Sequence, residues 1–341
     1  MQSNAGFERF LAHFPKEGAL AAQIEALLEG ATRAPSTHNS QPWRFTFMAD
    51  GVEVLRDTTV ELPNSDKETQ YAHISIGFLL QHIETLGRYL GMKPRVTVQV
   101  DGAHIARVSF VPSEGFDASL EPLVRAIFLR RNRRGNFTSA ALPEDLLGEL
   151  RSVVPMPTGL SFSVPAVMTD ATKKRRVGEL TLETMVRLYG LSSFRKEMSQ
   201  WVVPSTSRRR TGIPGYSLNQ PLLLSLVLPS IIRRINIGKL PGKLSAAAIA
   251  SAPALVAFGS KADPAAWLSI GYESSRIILT LVSRGFDASV YVATAELPDI
   301  RKETEQLFGL VEDMRFLFAI GKLEGRAEWY TPRVALDDKL Q

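Results

Sequence analysis

The first third of the chain alternates amphipathic helices with pairs of short strands, and this order restricts the possible fold more than any other feature. Apolar residues at helical spacing predict helices at residues 18–33 and 69–90. Each helix is followed by two strands joined through Asp-Gly, within residues 43–56 and 95–111. Strands joined by tight turns pair antiparallel. We therefore expect an α+β fold in which a mixed or antiparallel sheet is sandwiched by helices.

A similar order of elements begins again after residues 112–117, which are rich in Pro, Ser, Glu and Gly. We predict helices at 120–131, 143–153, 171–189, 267–283 and 298–308, and strands at 160–168, 254–258, 288–292 and 315–320. The repeat lies in the element order and not in the letters of the sequence. Residues 204–244 interrupt it, and we predict a lid or insertion there. The predicted division is a first half at 1–117 and a second half at 118–341.

The composition, 45% hydrophobic and 22% charged, is that of an ordinary globular protein. The absence of cysteine excludes disulfides, thiolate metal sites and a cysteine nucleophile. The N-terminus lacks the pattern of a secretory signal, and a cytoplasmic location is expected. The longest apolar run, residues 222–232, contains Pro229 and is shorter than the ~20 residues of a membrane-spanning helix. A lid or an interface is favoured for this run over contact with a membrane surface.

The segment Ala34–Phe45 concentrates small polar residues between a helix and a strand. Pro35 ends the helix, and the hydroxyl, amide and backbone groups that follow are suited to a polar ligand. On chemistry alone, an ordinary helix-to-strand turn anchored by Trp43 is equally well supported. His38 is suited either to a ligand or to a structural bond with the backbone. The candidate ligand-binding residues here are Pro35, Ser36, Thr37, His38, Asn39 and Gln41.

Arginines form a second cluster at residues 130–134, where a predicted helix ends. Guanidinium groups pair with phosphate in a planar, bidentate geometry, so the cluster is a candidate phosphate clamp. The alternative is a solvated basic loop. Nucleic-acid binding is disfavoured because no aromatic residues interleave with the arginines. The five histidines include no H-E-x-x-H pattern, and no metal site is expected.

The run Ala34–Phe45 has the pattern APSxxNxQPWRF, which resembles the signature of the nitroreductase family of FMN-dependent oxidoreductases. Family members carry an R-R-S-x-R-x-F-like run that holds the FMN phosphate. Arg131, Asn132 and Phe137 match this run, whereas Arg133 replaces its Ser and Arg134 stands one place early. The C-terminal segment 331–336 is similar to the family's PRxPL-like ending. The resemblance implies cofactor contacts from Arg131, Asn132, Arg133, Arg134, Val292, Ala293 and Arg333, with Arg326 as a weaker candidate.

The loop precedes the arginine run by about ninety residues, and this order resembles the Acg-like subgroup, in which two fused halves mimic a homodimer. The resemblance implies one FMN per chain, bound between the halves, in a monomer that forms a pseudo-dimer or in a homo-oligomer. It implies NAD(P)H as the electron donor and a nitroaromatic or quinone as the acceptor, with no side-chain catalyst. Two other hypotheses remain open, namely an FMN-holding protein whose lid blocks turnover and a basic binding module without a cofactor.

Overall fold

A computed structural model describes residues 4–111, 115–325 and 329–341, and in these ranges helices alternate with short strands. The helices are α1 (Ala5–His13), α2 (Leu20–Ala31), α3 (Gln70–Tyr89), α4 (Glu121–Leu129), α5 (Glu144–Leu150), α6 (Ala171–Gly190), α7 (Ser192–Trp201), α8 (Leu222–Arg234), α9 (Lys239–Ser251), α10 (Pro264–Ser283) and α11 (Pro298–Phe308). The strands are β1 (Trp43–Met48), β2 (Gly51–Arg56), β3 (Pro94–Asp101), β4 (His104–Phe110), β5 (Ala166–Met168), β6 (Val202–Val203), β7 (Ile213–Pro214), β8 (Ala254–Gly259), β9 (Asp287–Val290) and β10 (Met314–Gly321). The predicted α+β class is confirmed.

Two four-stranded antiparallel sheets share one topology. The first has the order β1-β2-β4-β3 and the second the order β5-β8-β10-β9. If β5, β8, β9 and β10 are matched in chain order to β1, β2, β3 and β4, the two orders are the same. The 20-residue helices α3 and α10 follow corresponding strands, β2 and β8. The fold is therefore a pair of pseudo-symmetric halves, as the order of predicted elements indicated.

Helices α3 and α10 cross at two glycines. A Cβ atom on Gly77 would lie 2.2 Å from the carbonyl oxygen of Leu268, and one on Gly271 would lie 2.0 Å from that of Ile74. The contact is reciprocal, as a two-fold arrangement requires. Both helices carry Ser-Ile-Gly-aromatic at this crossing, at residues 75–78 and 269–272. The expectation that the repeat leaves no trace in the sequence is therefore wrong here, because the close backbone approach demands glycine in both halves.

The predicted strand at 160–168 is confined to β5. The chain turns at residues 157–160, where the Leu160 amide donates to the Pro157 carbonyl. The Val98 amide of β3 bonds to the Thr158 carbonyl at 2.8 Å. The Ser161 amide donates to the Ser269 hydroxyl of α10 at 3.2 Å, so the chain before β5 bonds outside the second sheet. The predicted insertion is also more regular than its sequence indicated, since it contains β7, α8 and the start of α9.

The C-terminal tail crosses from the second sheet to the first. Leu340 forms a parallel bridge with Phe45 of β1. The buried Lys339 ammonium donates to the Gln41 carbonyl at 2.8 Å and pairs with Asp57 at 3.2 Å. The tail thus reaches the segment that connects α2 to β1. Within the described residues, no helix combines the length and the apolar character needed to cross a membrane.

Candidate functional site

A cavity of about 290 Å³ lies where four distant segments of the chain meet. These segments are residues 33–39 before β1, residues 130–134 after α4, residues 212–218 of the insertion and residues 329–333 of the tail. Ten of the residues singled out from the sequence line it: Pro35, Ser36, Thr37, His38, Asn39, Arg131, Asn132, Arg134, Val292 and Arg333. The fold therefore brings together the motif loop, the arginine run and the C-terminal motif at one place.

The backbone of the motif loop is strained. His38, Asn39 and Gln41 have φ values of 54°, 56° and 53°, in the left-handed region. Each such residue costs about 1 kcal/mol or more when it is not glycine, and such strain concentrates at ligand sites. The Ser36 hydroxyl helps to hold the turn, because it accepts a hydrogen bond from the Gln41 amide at 2.9 Å.

The side chain of Asn39 brings the insertion and the tail onto the loop. Its Nδ2 donates to the carbonyl oxygens of Arg210, at 3.3 Å, and Pro332, at 3.1 Å. Its Oδ1 accepts from Arg333. Although Asn39 lines the cavity, its polar atoms are therefore already bonded within the protein.

Gln41, for which a cofactor contact is predicted, braces the motif loop against the insertion and the tail. The residue is buried and does not line the cavity. Its Nε2 donates to the carbonyls of Asn39 and Arg210, and its Oε1 accepts from the Val334 amide. Its side chain faces inward because these three backbone groups need partners in a buried environment.

Arg333 is a second brace, and all of its donors have partners. Its Nε donates to the Thr32 carbonyl at 2.9 Å, and its Nη2 faces the carbonyls of Arg33 and Ala34. Its Nη1 donates to Asn39 Oδ1 and to the Thr331 hydroxyl. Burial, together with the charges of Arg130 and Arg33, lowers the pKa of Arg333 to about 9. Arg333 therefore contributes positive charge to the cavity but no vacant N–H group.

Two further arginines, which the family motifs do not include, also line the cavity. Arg33 precedes the loop, and its guanidinium lies over the ring of Phe128 at 4.7 Å. Arg130 donates to the Arg33 carbonyl at 3.1 Å, while its buried Nε has no hydrogen-bond partner among the described residues. Burial lowers the pKa of Arg130 to about 10, and the charges of Arg131 and Arg33 add to this effect. Both residues have lost solvent without gaining a carboxylate partner among the residues that the structure describes.

The neighbouring cations of the run are also without carboxylate partners. Arg131 donates from Nε to the Trp329 carbonyl and lies 4.0 Å from the centre of the Tyr330 ring. Arg134 donates to the Val290 carbonyl and lies over the ring of Tyr291. In the described part of the chain, the ion pairs of this region include Arg133 with Asp287 but none with the five arginines that line the cavity. Among the described residues, the site is therefore a cationic cluster without carboxylate partners.

Besides Gln41, two predicted site residues, Arg133 and Ala293, do not line the cavity. Arg133 turns away from the cavity, donating to the Glu324 carbonyl and lying 3.9 Å from Asp287. It does so because the chain leaves helix α4 at Leu129, after which successive side chains take different directions. Ala293 does not line the cavity, although Val290 and Val292 do. Arg326 lies outside the described residues.

The cavity also has an apolar wall. It includes Ile74 and Phe78 from α3, Ile127 and Phe128 from α4, and Phe316 from β10. The Phe78 and Phe316 rings meet edge to face, with their centroids 6.0 Å apart. A cavity with one apolar wall and one cationic end suits a flat ligand that carries an anionic group.

His38 has an unusual environment. Its Nε2 is buried and has no hydrogen-bond partner among the described residues, and its ring lies 6.0 Å from that of Trp201. Burial lowers the pKa of His38 to about 4, so the imidazole is neutral at neutral pH. A neutral ring can offer either a donor or an acceptor to a ligand.

The insertion closes one side of the cavity. Gly212, Ile213, Ser217 and Leu218 line it. The Tyr216 hydroxyl donates to the Tyr330 carbonyl at 3.2 Å, and Arg210 donates to the Arg333 carbonyl at 3.3 Å. None of the side chains of residues 208–210 lines the cavity. The insertion therefore contacts the site mainly through its backbone and through the segment after Arg210.

Fold and site together define an α+β protein with two related halves and, among the described residues, a cavity lined by five arginines. Its sequence is 27% identical over 198 residues to the candidate NAD(P)H nitroreductase acg of Mycobacterium tuberculosis. This match spans 57% of the present chain and 58% of that relative. A second Mycobacterium tuberculosis protein, also described as a candidate NAD(P)H nitroreductase, is 28% identical over 134 residues, 38% of each chain. These relatives confirm the resemblance to the nitroreductase family that the motifs indicated.

Wider comparisons add little. No family model matches the chain. Among solved structures, the chain is similar to the FMN- and NADPH-dependent nitroreductase NfnB from Sphigopyxis sp. strain HMH, with a TM-score of 0.43 and 20% identity. That similarity covers 63% of this chain and 96% of the other. It is too low for structure or function to be inferred from it.

Proposed function

We propose that the chain binds one FMN and transfers electrons from NAD(P)H through it to a small acceptor such as a nitroaromatic or a quinone. The single observation that carries the proposal is the uncompensated arginine cluster at one end of a cavity whose other wall is apolar. The mycobacterial relatives, described as candidate NAD(P)H nitroreductases, support the same chemistry.

The cationic end fits a phosphate group. Buried charges are normally paired, because an unpaired one loses its hydration without compensation. Arg33, Arg130, Arg131 and Arg134 line the cavity and have no carboxylate within ion-pair distance among the described residues. The buried Nε of Arg130 has no partner there either. A phosphate dianion would supply the missing charge and hydrogen-bond acceptors.

The apolar end fits a flat aromatic ring system. Phe78 and Phe316 provide an apolar surface, and Val290 and Val292 bring the end of β9 to the same cavity. The motif-loop residues Ser36 and Thr37 line it between these groups and the arginines. In this assignment residues of α3 and β9 would hold the ring, Ser36 and Thr37 the ribityl chain, and Arg130 the phosphate.

FMN supplies the redox chemistry when it is bound, accepting a hydride from NAD(P)H and reducing an acceptor. The residues of the chain bind and orient it. The arginines favour the anionic form of a ligand through their charge, and the apolar wall excludes water from one face. His38, neutral at neutral pH, carries one ring proton that can be donated to a polar group of the ligand. No acid or base is assigned to the chain.

One cofactor per chain is proposed because the second half has no equivalent loop. Residues 154–159 stand at the corresponding place, and they pack on β3. A Cβ atom on Gly159 would lie 2.1 Å from the Val98 carbonyl oxygen, and the Thr158 carbonyl accepts from the Val98 amide. These contacts support a closed second position, so the halves at 1–117 and 118–341 share one site.

An FMN-holding protein is the second candidate function. The observation that favours it is the attachment of the insertion to the motif loop, since the Arg210 carbonyl accepts from both Asn39 and Gln41. An insertion held in this way restricts access to the cavity. It need not prevent cofactor binding.

Anaerobic mixing with NADH or NADPH separates these functions. FMN-loaded protein that is an oxidoreductase loses its flavin absorption on mixing and regains it when a quinone or nitroaromatic is added. A holding protein retains FMN on gel filtration but keeps its colour. Protein that never retains FMN contradicts both functions and leaves a basic module without a cofactor.

A further inference from the structure

The insertion lies in a stretch of unusual charge. The chain contains 35 acidic residues among 341, yet none occurs in the 65 residues from Met198 to Ala262. The same stretch contains eight basic residues: Arg208, Arg209, Arg210, Arg233, Arg234, Lys239, Lys243 and Lys261. A long acid-free basic segment attracts anionic partners.

Helix α8, within this stretch, is buried on one side only. Ser225 and Ile232 are buried, and Ile232 packs in a small cluster with residues of α6 and α7. The opposite side exposes Leu223 at 78%, Leu226 at 47% and Val227 at 50%. Residues at i, i+3 and i+4 share one face of a helix, so these three side chains form a continuous apolar stripe.

Two basic residues follow the apolar stripe at the C-terminal end of α8. Position 234 lies eleven residues after Leu223, three helical turns along the same face, and Arg233 lies beside it. Both arginines are exposed. In the described part of the chain, neither arginine has a carboxylate within ion-pair distance. The ion pairs nearest to them in the sequence are those of Arg187 and Arg276. The exposed face is therefore apolar over about one turn, from Leu223 to Val227, and cationic at its C-terminal end.

We propose that α8 docks this protein on an anionic lipid surface. An interfacial helix inserts leucines at the boundary between headgroups and acyl chains while its basic residues contact anionic headgroups. With 13 residues, α8 is too short to span a bilayer and suits a position in the plane of its surface. A second copy of the chain is a poorer partner, because a symmetric contact through this acid-free segment brings basic residues together. This proposal extends beyond the proposed redox function and does not depend on FMN.

Co-sedimentation of the full chain with phosphatidylcholine vesicles, with and without phosphatidylglycerol, tests it. We expect binding to the vesicles that contain phosphatidylglycerol and weaker binding as salt is added. The variant Leu223→Ser/Leu226→Ser/Val227→Ser should lower the partition coefficient at least about tenfold. The matched control Val153→Ser/Val164→Ser/Val311→Ser changes three valines exposed at 77%, 71% and 100%, and it should bind as the unmodified chain does.

A second measurement guards against misfolding of the serine variant. The chain has no cysteine, so Leu223→Cys gives a single attachment site for a polarity-sensitive fluorophore. Its emission should shift to the blue on addition of anionic vesicles, whereas a label at Val311→Cys should not respond. Three results would overturn the proposal: no sedimentation with anionic vesicles, equal sedimentation of the α8 and control variants, or a dimer in lipid-free solution that the α8 variant abolishes.

Discussion

Arg333 donates a hydrogen bond from Nη1 to Oδ1 of Asn39 at 2.9 Å, across 294 positions of the sequence. This bond ties the C-terminal tail to the strained loop before β1. Asn39 in turn donates to the Arg210 carbonyl of the insertion, so one asparagine joins three segments. Hydrogen bonds within the protein thus hold the loop, the insertion and the tail together around the cavity.

The first prediction concerns the hydrogen bonds of Arg333. Arg333→Met keeps most of the side-chain volume but leaves the carbonyls of Thr32 and Arg33 and the Oδ1 of Asn39 with fewer donors. Each buried acceptor left without a partner costs about 1–3 kcal/mol, so we expect the free energy of unfolding to fall by about 2 kcal/mol. Urea denaturation measures it. Arg234→Met, at an exposed site, is the control and should leave stability unchanged.

The second prediction concerns the unpaired charge. Arg130 makes one hydrogen bond from its guanidinium and suffers repulsion from Arg131 and Arg33. We expect Arg130→Met to raise the free energy of unfolding of the ligand-free protein by about 1 kcal/mol, because an uncompensated buried charge is removed. Arg125→Met removes an arginine paired with Glu8 and Glu121 and should lower it by up to about 1 kcal/mol. If both variants lose stability equally, Arg130 is not an unpaired charge.

The third prediction concerns the helix crossing. Gly77→Ala places a methyl group against the Leu268 carbonyl of α10, and we expect a loss of about 3 kcal/mol from overpacking. Gly148→Ala in α5 is the control, since its Cβ meets nothing within 4 Å. That change should raise stability by about 0.5–1 kcal/mol. Thermal unfolding of the two variants separates a packing effect from a helix-propensity effect.

The fourth prediction concerns acid sensitivity. Burial and the nearby charge of Arg130 lower the pKa of His82 to about 3, against 6.5 in the unfolded chain. Between these pH values the unfolded chain binds a proton that the folded chain does not. The stabilising contribution of neutral His82 is therefore present above pH 6.5 and is lost as the pH falls toward 3, with a slope approaching 1.4 kcal/mol per pH unit.

His82→Asn retains a donor for the Ala31 carbonyl, which His82 Nδ1 faces at 3.2 Å, but cannot titrate. Urea denaturation at several pH values should give a shallower decline for this variant, whatever its stability at neutral pH. An unchanged slope would contradict the assignment.

Much of the site followed from the sequence because its motifs are local. The loop at Pro35–Asn39 and the arginines after α4 were proposed as binding residues from their residue types together with the resemblance to nitroreductase motifs. Arg33 was not assigned as a binding residue, since the burial of a guanidinium depends on which segments pack over it. Arg130 belonged to the candidate phosphate clamp but not to the family motif. The bracing contacts of Gln41 were not predictable either, because only the folded chain places the Arg210 and Val334 backbone groups beside it.

The fold was predictable where hydrophobic periodicity was strong, as in α3 and the two hairpins of the first sheet. Helix α1 was not predicted, although Asn4 is a typical helix N-cap residue. In the structure Asn4 accepts a hydrogen bond from the Phe7 amide, and Phe7 is buried. The shortening of the predicted strand at 160–168 was not predictable, because the partners of Thr158 and Ser161, in β3 and α10, are distant in sequence.

Titration of the purified chain with FMN and with riboflavin, followed by flavin fluorescence, tests the central claim most directly. The two ligands differ only in the phosphate group that the arginine cluster is assigned to bind. We predict one FMN per chain, much weaker binding of riboflavin, and an Arg130→Met variant that loses affinity for FMN but not for riboflavin. Equal affinity for the two flavins, two FMN per chain, or no binding of either would contradict the account.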